Sequence, residues 1–317
     1  MSTTALTEDV LAMLRESLRH VLTETSNVPF GERLSELGWD DVVADDASTA
    51  LRTLFEIKGE TVSSADALTP TMARHLAALT DDPALTDASV ALPSPYGTSV
   101  CDADVLTVEA VVLSRPAATL VVAVGDRLAR VSSVGLAITP MQGTDETLGL
   151  LRVTGAPTRS SWIDGATWTQ LETHARWLLA CELVGLGRHV VTAAVEYTKV
   201  RVQYGKPIGV FQALQHRLAS AHVAVVGASH VAAEAGVSGD AWVALVAKCA
   251  AGRAAEDACT QAQQCYGAIG FTWEHEFHRY LRRTYVLDQL FGNWRMLEHE
   301  IGIKLQESGV VPRIGTL

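Results

Sequence analysis

Apolar residues near the start of the chain recur at helical spacing. In TEDVLAMLRESLRHVL, Val10, Leu11, Leu14, Leu18 and Val21 share one helix face, with Thr7 ahead of them as an N-cap. SELGWDD, STALRTLFEIKGE and TPTMARHLAAL predict further helices, the last opened by Thr69 with Pro70 at the first helical position. From about 88 to 157 the pattern changes to short β-branched runs (VLTVEAVVL, ATLVVAV, ARVSSVGLAI, LGLLRV). SPYG, SRPA, VGDR and TPMQGTDE separate them as turns, which predicts a small antiparallel β unit. From Trp168 onward, long Ala/Leu/Val-rich segments, roughly 168–202, 208–236, 240–266 and 274–304, predict a four-helix bundle cornered at GKPIG, GVSGD and GAIGF. The chain reads as mainly α with a small central β domain. Its parts are an N-terminal helical domain over 1–87, a reduced middle β domain over 88–160 and a C-terminal helical bundle over 161–317.

Composition adds a suspicion of assembly. Of 317 residues, 48% are hydrophobic and only 19% charged, so little charge is left to cover a monomer. A net charge of −11 argues against a nucleic-acid or anionic-membrane surface, which would need a basic face. The first residues lack a leader's basic start and apolar middle, and AHVAVVGASHVAAEAGVSG is too rich in Gly, Ser and His for a good membrane span. Five cysteines without a CxxC pair suggest reduced thiols and a cytoplasmic location. His275 and His278 lie on adjacent turns near Glu274, but no Glu-x-x-His pair exists for a di-iron bundle, and no metal site is expected. There is no G-x-S-x-G elbow and no Walker loop.

The corner RVQYGKPIGVFQ, residues 201–212, carries more than a helix stop. Arg201 suits a helix C-terminus, and Gly205 and Pro207 forbid continuation. Caps and core packing leave Gln203, Tyr204 and Gln212 unexplained. The stretch resembles the R-x-Q-F-G-x-P-I-x-x-F-Q motif of the acyl-CoA dehydrogenase family, with Tyr204 in place of Phe. QCYGAIGFTWEHEFHRYLRR, from Gln264 to Arg283, resembles that family's Q-x-x-G-G-x-G-F/Y-T segment, with Ala268 replacing the second glycine. The helical, β, helical order matches the family's three-domain plan. In the family these elements touch an FAD held mainly by a neighbouring subunit. The resemblance thus implies that Arg201 meets the FAD pyrophosphate and that Gln203 and Tyr204 line the adenine end. Gly205, Ile208 and Gln212 complete the corner, while Gln264, Gly267 and Gly270 approach the same cofactor.

The family's reaction removes a proton beside the thioester while hydride leaves the next carbon for the flavin, so it requires a carboxylate base within reach of that C–H. At the position where resemblance places the usual glutamate stands Phe291, in DQLFGNWR, followed by Gly292; Asn293 and Trp294 depart from the pattern as well. The alternative position falls at Ala175, flanked by His174 and Arg176. Glu172 and Asp288 are the nearest carboxylates. The flavin-cradling T-E-P-x-x-G-S-D loop and its later W-I-T-N stretch have no counterpart between Ala88 and Gly155, SPYGTSVCDAD being the nearest segment. The resemblance therefore implies a subunit with no catalytic residue of its own. It would pair with a homologous full-length subunit that binds the acyl-CoA, as in actinobacterial enzymes acting on bulky thioesters such as steroid side chains. A self-sufficient dehydrogenase using Glu172 or Asp288, and a helical scaffold without cofactor, are the alternatives.

Overall fold

The computed structural model describes residues 7–24, 26, 28–102 and 105–315. The first six residues, on which the expectation of no leader partly rests, and two residues of SPYGTSVCDAD lie outside the described residues. The chain packs as two compact units, one formed up to Ser63 and again from Arg176, the other by Ser64–Ala175.

The first unit opens with α1 (Glu8–Thr23), α2 (Phe30–Glu36) and α3 (Trp39–Thr61). Thr7 stands at the N-cap of α1, but its side chain makes no capping bond. SELGWDD is the corner between two helices rather than a helix, because Gly38 turns left-handed at φ 68° and α3 restarts at Trp39. Inside α3, Asp46 leaves helical geometry and its carboxylate accepts the Thr49 N–H at 3.0 Å, so STALRTLFEIKGE starts from a fresh cap.

In the second unit, α4 (Leu68–Thr80) is capped by Asp66, which accepts both the Thr69 N–H at 3.0 Å and the Thr69 hydroxyl. Thr69 is thus a first-turn donor and not the cap. The β strands are β1 (Ser89–Val90), β2 (Val100–Asp102), β3 (Val105–Val112), β4 (Thr119–Val124), β5 (Arg127–Ser132), β6 (Ala137–Pro140), β7 (Leu151–Gly155) and β8 (Ser160–Ile163). They form two four-stranded sheets ordered β1-β4-β5-β8 and β2-β3-β7-β6. The pairing is not wholly antiparallel, since β1 runs parallel to β4; the chain between them passes through the other sheet and supplies the long crossover this requires. ARVSSVGLAI is split between β5 and β6, and the polar SSWI of β8 continues the sheet beyond the apolar runs. Leu106, Val108, Ala110 and Val112 alternate inward from β3 to meet Leu120, Val122, Ala129, Val131 and Val153 in one core.

From Trp168 the helices are α5 (Trp168–Val200), α6 (Gln212–Ser238), α7 (Ala241–Tyr266), α8 (Phe277–Gln289) and α9 (Trp294–Ser308). The segment read as one helix over 274–304 is two. α5 is long and apolar enough to cross a membrane by composition, yet 72% of its most apolar window is buried, as in a core helix. α3 and α5 nearly touch: a Cβ on Gly185 would lie 1.9 Å from the Glu56 carbonyl oxygen, and one on Gly59 would lie 2.0 Å from that of Glu182. Beside this crossing the buried Lys58 ammonium donates to Glu182 at 2.5 Å, and Arg283 donates to the Ser63 carbonyl at 2.7 Å. α6 and α7 turn sharply at Gly239, left-handed at φ 62°, and at Asp240, which caps α7 by accepting the Val243 N–H at 3.0 Å.

Candidate functional site

α5 stops at Arg201, whose N–H still donates to the Tyr197 carbonyl at 3.0 Å, and the next six residues make a minimal hairpin. β9 (Val202–Gln203) pairs with β10 (Lys206–Pro207) in the register Lys206↔Gln203. The two central residues, Tyr204 at φ 54° and Gly205 at φ 75°, are both left-handed, the geometry of a type I′ turn. The breakers thus shape the corner internally. The Ile208 N–H donates to the Arg201 carbonyl at 2.8 Å, and a Cβ on Gly209 would come within 3.0 Å of the Thr198 carbonyl oxygen.

The polar side chains of the corner face solvent. Tyr204 is 90% exposed and meets Phe211 edge-on, with ring centroids 6.1 Å apart. Arg201 and Gln212 are exposed and make no side-chain hydrogen bond or ion pair among the described residues. The Gln203 side chain donates to the neighbouring Val202 carbonyl at 2.9 Å, and Ile208 is half-buried.

The second stretch lies at the same end of the bundle. Tyr266, last residue of α7, meets Tyr197 of α5 edge-on at 5.0 Å, and Arg217 of α6 donates to Gln261 of α7 at 3.0 Å. Gln264 and Gly267 are exposed; Gly267, at φ 61° and ψ −134°, holds a conformation that essentially only glycine adopts. Gly270 is buried, and a Cβ there would sit 2.6 Å from the Gln263 amide nitrogen, the mobile end of a side chain that can move aside, and 3.0 Å from the Tyr266 Cβ, so the fit is tight without packing alone demanding glycine.

The expected base positions hold no acid. Phe291 is only 4% exposed and left-handed at φ 59°, followed by Gly292 at φ 98°. Arg176 donates to the Phe291 carbonyl at 3.2 Å, while the buried Lys248 ammonium donates to the carbonyls of Asp288 at 3.0 Å and Gly292 at 3.2 Å. The Asp288 carboxylate accepts the Trp294 N–H at 3.1 Å and lies 3.7 Å from Lys248. Burial pushes the Asp288 carboxyl up against the pull of Lys248, and burial also brings Lys248 down to about 8 against Asp288. Asp288 is therefore engaged in holding the break between α8 and α9. Asn293 serves that break as well, capping α9 by accepting the Met296 N–H at 3.0 Å. Trp294 donates to Glu256 at 2.5 Å with the Arg295 guanidinium 4.1 Å from its ring. Sequence reasoning overlooked Lys248, although a lone cation inside VALVAKCAAG hints at a buried partner.

In the second unit Ala175 is fully buried and Glu172 half-buried. The neighbouring His174 ring stacks on His75 at 4.0 Å; burial, reinforced by the charge of His75, drives it down to about 3. The loop nearest to a flavin cradle is closed on itself. Ser94 donates to Glu109 at 2.6 Å, and Glu109 is held by both Nε and a terminal nitrogen of Arg152 at 2.6–3.2 Å. Under this loop remains a cavity of about 220 Å³, below the ~300–1,000 Å³ of small-molecule sites. The corner thus presents its polar side chains to solvent, whereas among the described residues the loop at 94–102 is tied down by the Ser94–Glu109–Arg152 contacts.

A helical unit with this exposed corner, joined in sequence to a two-sheet β unit, defines the acyl-CoA dehydrogenase fold. Residues 166–302 match the family model described as Acyl-CoA dehydrogenase, C-terminal domain. Acyl-CoA dehydrogenase IpdE2 of Mycobacterium tuberculosis is 37% identical over 131 residues, 41% of this chain and 41% of that protein, so the match spans less than half the length of this relative. Among solved structures, the Tcur3481-Tcur3483 steroid ACAD superposes with TM-score 0.76 at 21% identity, covering 95% of this chain and 99% of that one. The ChsE4-ChsE5 complex from Mycobacterium tuberculosis gives 0.75 at 18% identity, covering 99% of this chain and 100% of that one.

Proposed function

We propose that this chain is the base-lacking subunit of a hetero-oligomeric, cytoplasmic acyl-CoA dehydrogenase and completes the FAD site of a homologous full-length subunit. The partner supplies the glutamate, the flavin cradle and the acyl-CoA pocket for α,β-dehydrogenation. FAD, when bound, provides the hydride-accepting ring. This chain holds the far end: Arg201 on the pyrophosphate, Gln203 and Tyr204 at the adenine, and Gln212, Gln264 and the backbone at Gly267 closing the site against water. The observation that carries the reading is the contrast between the two places. The base position is filled by a buried phenylalanine whose carbonyl is held by Arg176 while Lys248 holds the flanking carbonyls of Asp288 and Gly292, whereas the corner presents an exposed arginine whose side chain makes no hydrogen bond or ion pair among the described residues. A steroid ACAD and a two-chain complex among the structural neighbours support a heteromer acting on a bulky, steroid-derived acyl-CoA.

The test is co-expression with a full-length homologue, counting FAD per assembly and assaying each chain alone. The lone chain is expected to be inactive and flavin-free. Arg201→Ala is expected to weaken FAD retention by about 1–3 kcal/mol, the scale for losing a charge-assisted hydrogen bond. Stoichiometric FAD and turnover from the lone chain would overturn the reading.

A further inference from the structure

A second cation stands beside Arg201 at the corner. Lys206 is exposed, its ammonium lies 4.8 Å from the centre of the Phe211 ring, and its side chain makes no hydrogen bond or ion pair among the described residues. Nearby cations of this unit sit against carboxylates. Arg15 and Arg188 reach Glu56 at 3.0 and 2.8 Å, and Lys199, just before the corner, reaches Glu196 at 2.6 Å. In a chain of net charge −11, two adjacent cations that no acid neutralises mark a place where negative charge is to come from outside.

Backbone register decides where these two side chains lie. Lys206 pairs directly with Gln203, and the ladder continues one step beyond β9, where the Ile208 N–H donates to the Arg201 carbonyl at 2.8 Å. Cross-strand partners share a face, and so do alternate residues along a strand. Arg201, Gln203 and Lys206 therefore project from one side of the hairpin. Val202 and Pro207 project from the other, where Pro207 helps to wall the groove between α5 and α6. Arg201 and Lys206 are diagonal neighbours, a Cα separation of roughly 7–8 Å that long side chains bridge. The two-residue turn at Tyr204 and Gly205 fixes this arrangement, because a slip of one residue would send Lys206 to the opposite face.

Two cations on one face suit a diphosphate bridge, which carries two negative charges on adjoining phosphoryl groups. A guanidinium fork takes one phosphoryl group by paired hydrogen bonds, while an ammonium, a compact charge with three rotatable donors, adapts to the other. We infer that Lys206 is a second diphosphate-binding residue, neutralising the phosphoryl group that Arg201 leaves, with the Phe211 ring holding its ammonium at the hairpin before the ligand arrives. The inference rests on the functional reading above and adds the residue that completes the charge match.

The test follows FAD release from the assembly with the full-length homologue, read as free-flavin fluorescence on dilution at about 0.05 M and about 0.5 M salt. Lys206→Met is expected to weaken FAD retention about three- to tenfold at the lower salt. The difference from wild type should shrink at the higher salt, where screening has already removed most of the interaction. Lys206→Arg keeps the charge and should retain FAD and its salt dependence. Lys199→Met removes a cation already matched to Glu196 and should change neither. All three variants should leave the thermal midpoint of the full chain nearly unchanged. Wild-type FAD retention in Lys206→Met overturns the assignment. Equal weakening by Lys206→Met and Lys206→Arg does so too, as does a loss in Lys199→Met as large as that in Lys206→Met. Arg201→Ala separates the two readings. If it loosens FAD and Lys206→Met does not, only the role of Lys206 falls; if neither variant moves FAD, or the wild-type assembly holds none, the functional reading falls with it.

Discussion

Gly185 and Gly227 both sit in long helices, and the sequence shows nothing that tells them apart. The difference lies in what surrounds them. At Gly185 an added Cβ would stand 1.9 Å from a backbone oxygen of α3, which cannot move aside alone, while at Gly227 it would stand in open space. Gly185→Ala is therefore expected to exceed the ordinary overpacking cost of ~1–3 kcal/mol, read as a lowered denaturant midpoint. Gly227→Ala should leave the isolated chain as stable or raise its stability by about 0.5–1 kcal/mol. The same limit applies at the corner. The motif singled out Gly205 and Tyr204, but that both adopt positive φ, and that Tyr204 is thereby turned outward, is a property of the hairpin they close.

At the scale of elements, helical periodicity was legible wherever one face is buried, and failures concentrate at caps. Asp66 starts a helix that the apolar pattern credits to Thr69, because a carboxylate three residues ahead leaves no trace in hydrophobic spacing. The break between α8 and α9 was hidden for a similar reason: apolar residues stay in phase on both sides of it. The FGN triplet was a readable sign, with glycine at positive φ and asparagine capping the next helix. What holds the break is Lys248, and that depends on tertiary packing the sequence cannot display. Lys248→Met removes one partner of a buried pair and two donors to loop carbonyls, so a loss of about 3–5 kcal/mol is expected. Faster amide exchange confined to 290–293 would be its signature. Phe291→Glu should not confer dehydrogenase activity on the lone chain, because the carboxylate would enter a buried position whose backbone is already fixed. The checks are lowered thermal stability and an absence of turnover.

For the molecule as a whole, the scarcity of charge has acquired an address. Large exposed apolar side chains gather at the corner end of the bundle, with Tyr204 at 90%, Phe271 at 80% and Trp273 at 73%, and along α6, with Val223 at 69% and Val237 at 77%. Stability of the whole chain should also respond to acid through the second unit. His174 has an ordinary value of 6.5 and is held down to about 3 in the folded state, and burial lowers His75 as well. Unfolding frees both rings, so below 6.5 the unfolded chain binds more protons than the folded one. The stabilisation is fully present above 6.5 and is lost as pH falls from there toward 3. From His174 alone it amounts to about 3–5 kcal/mol at ~1.4 kcal/mol per unit. Asp288, raised by burial, works in the opposite direction but only near and above the ordinary carboxylate range, so it blunts the lower part of the slope. Thermal midpoints measured between pH 7 and 4 should therefore fall, and His174→Gln should flatten that slope even though it lowers the midpoint at pH 7. A purely structural role for the ring would shift the curve downward and leave its slope intact.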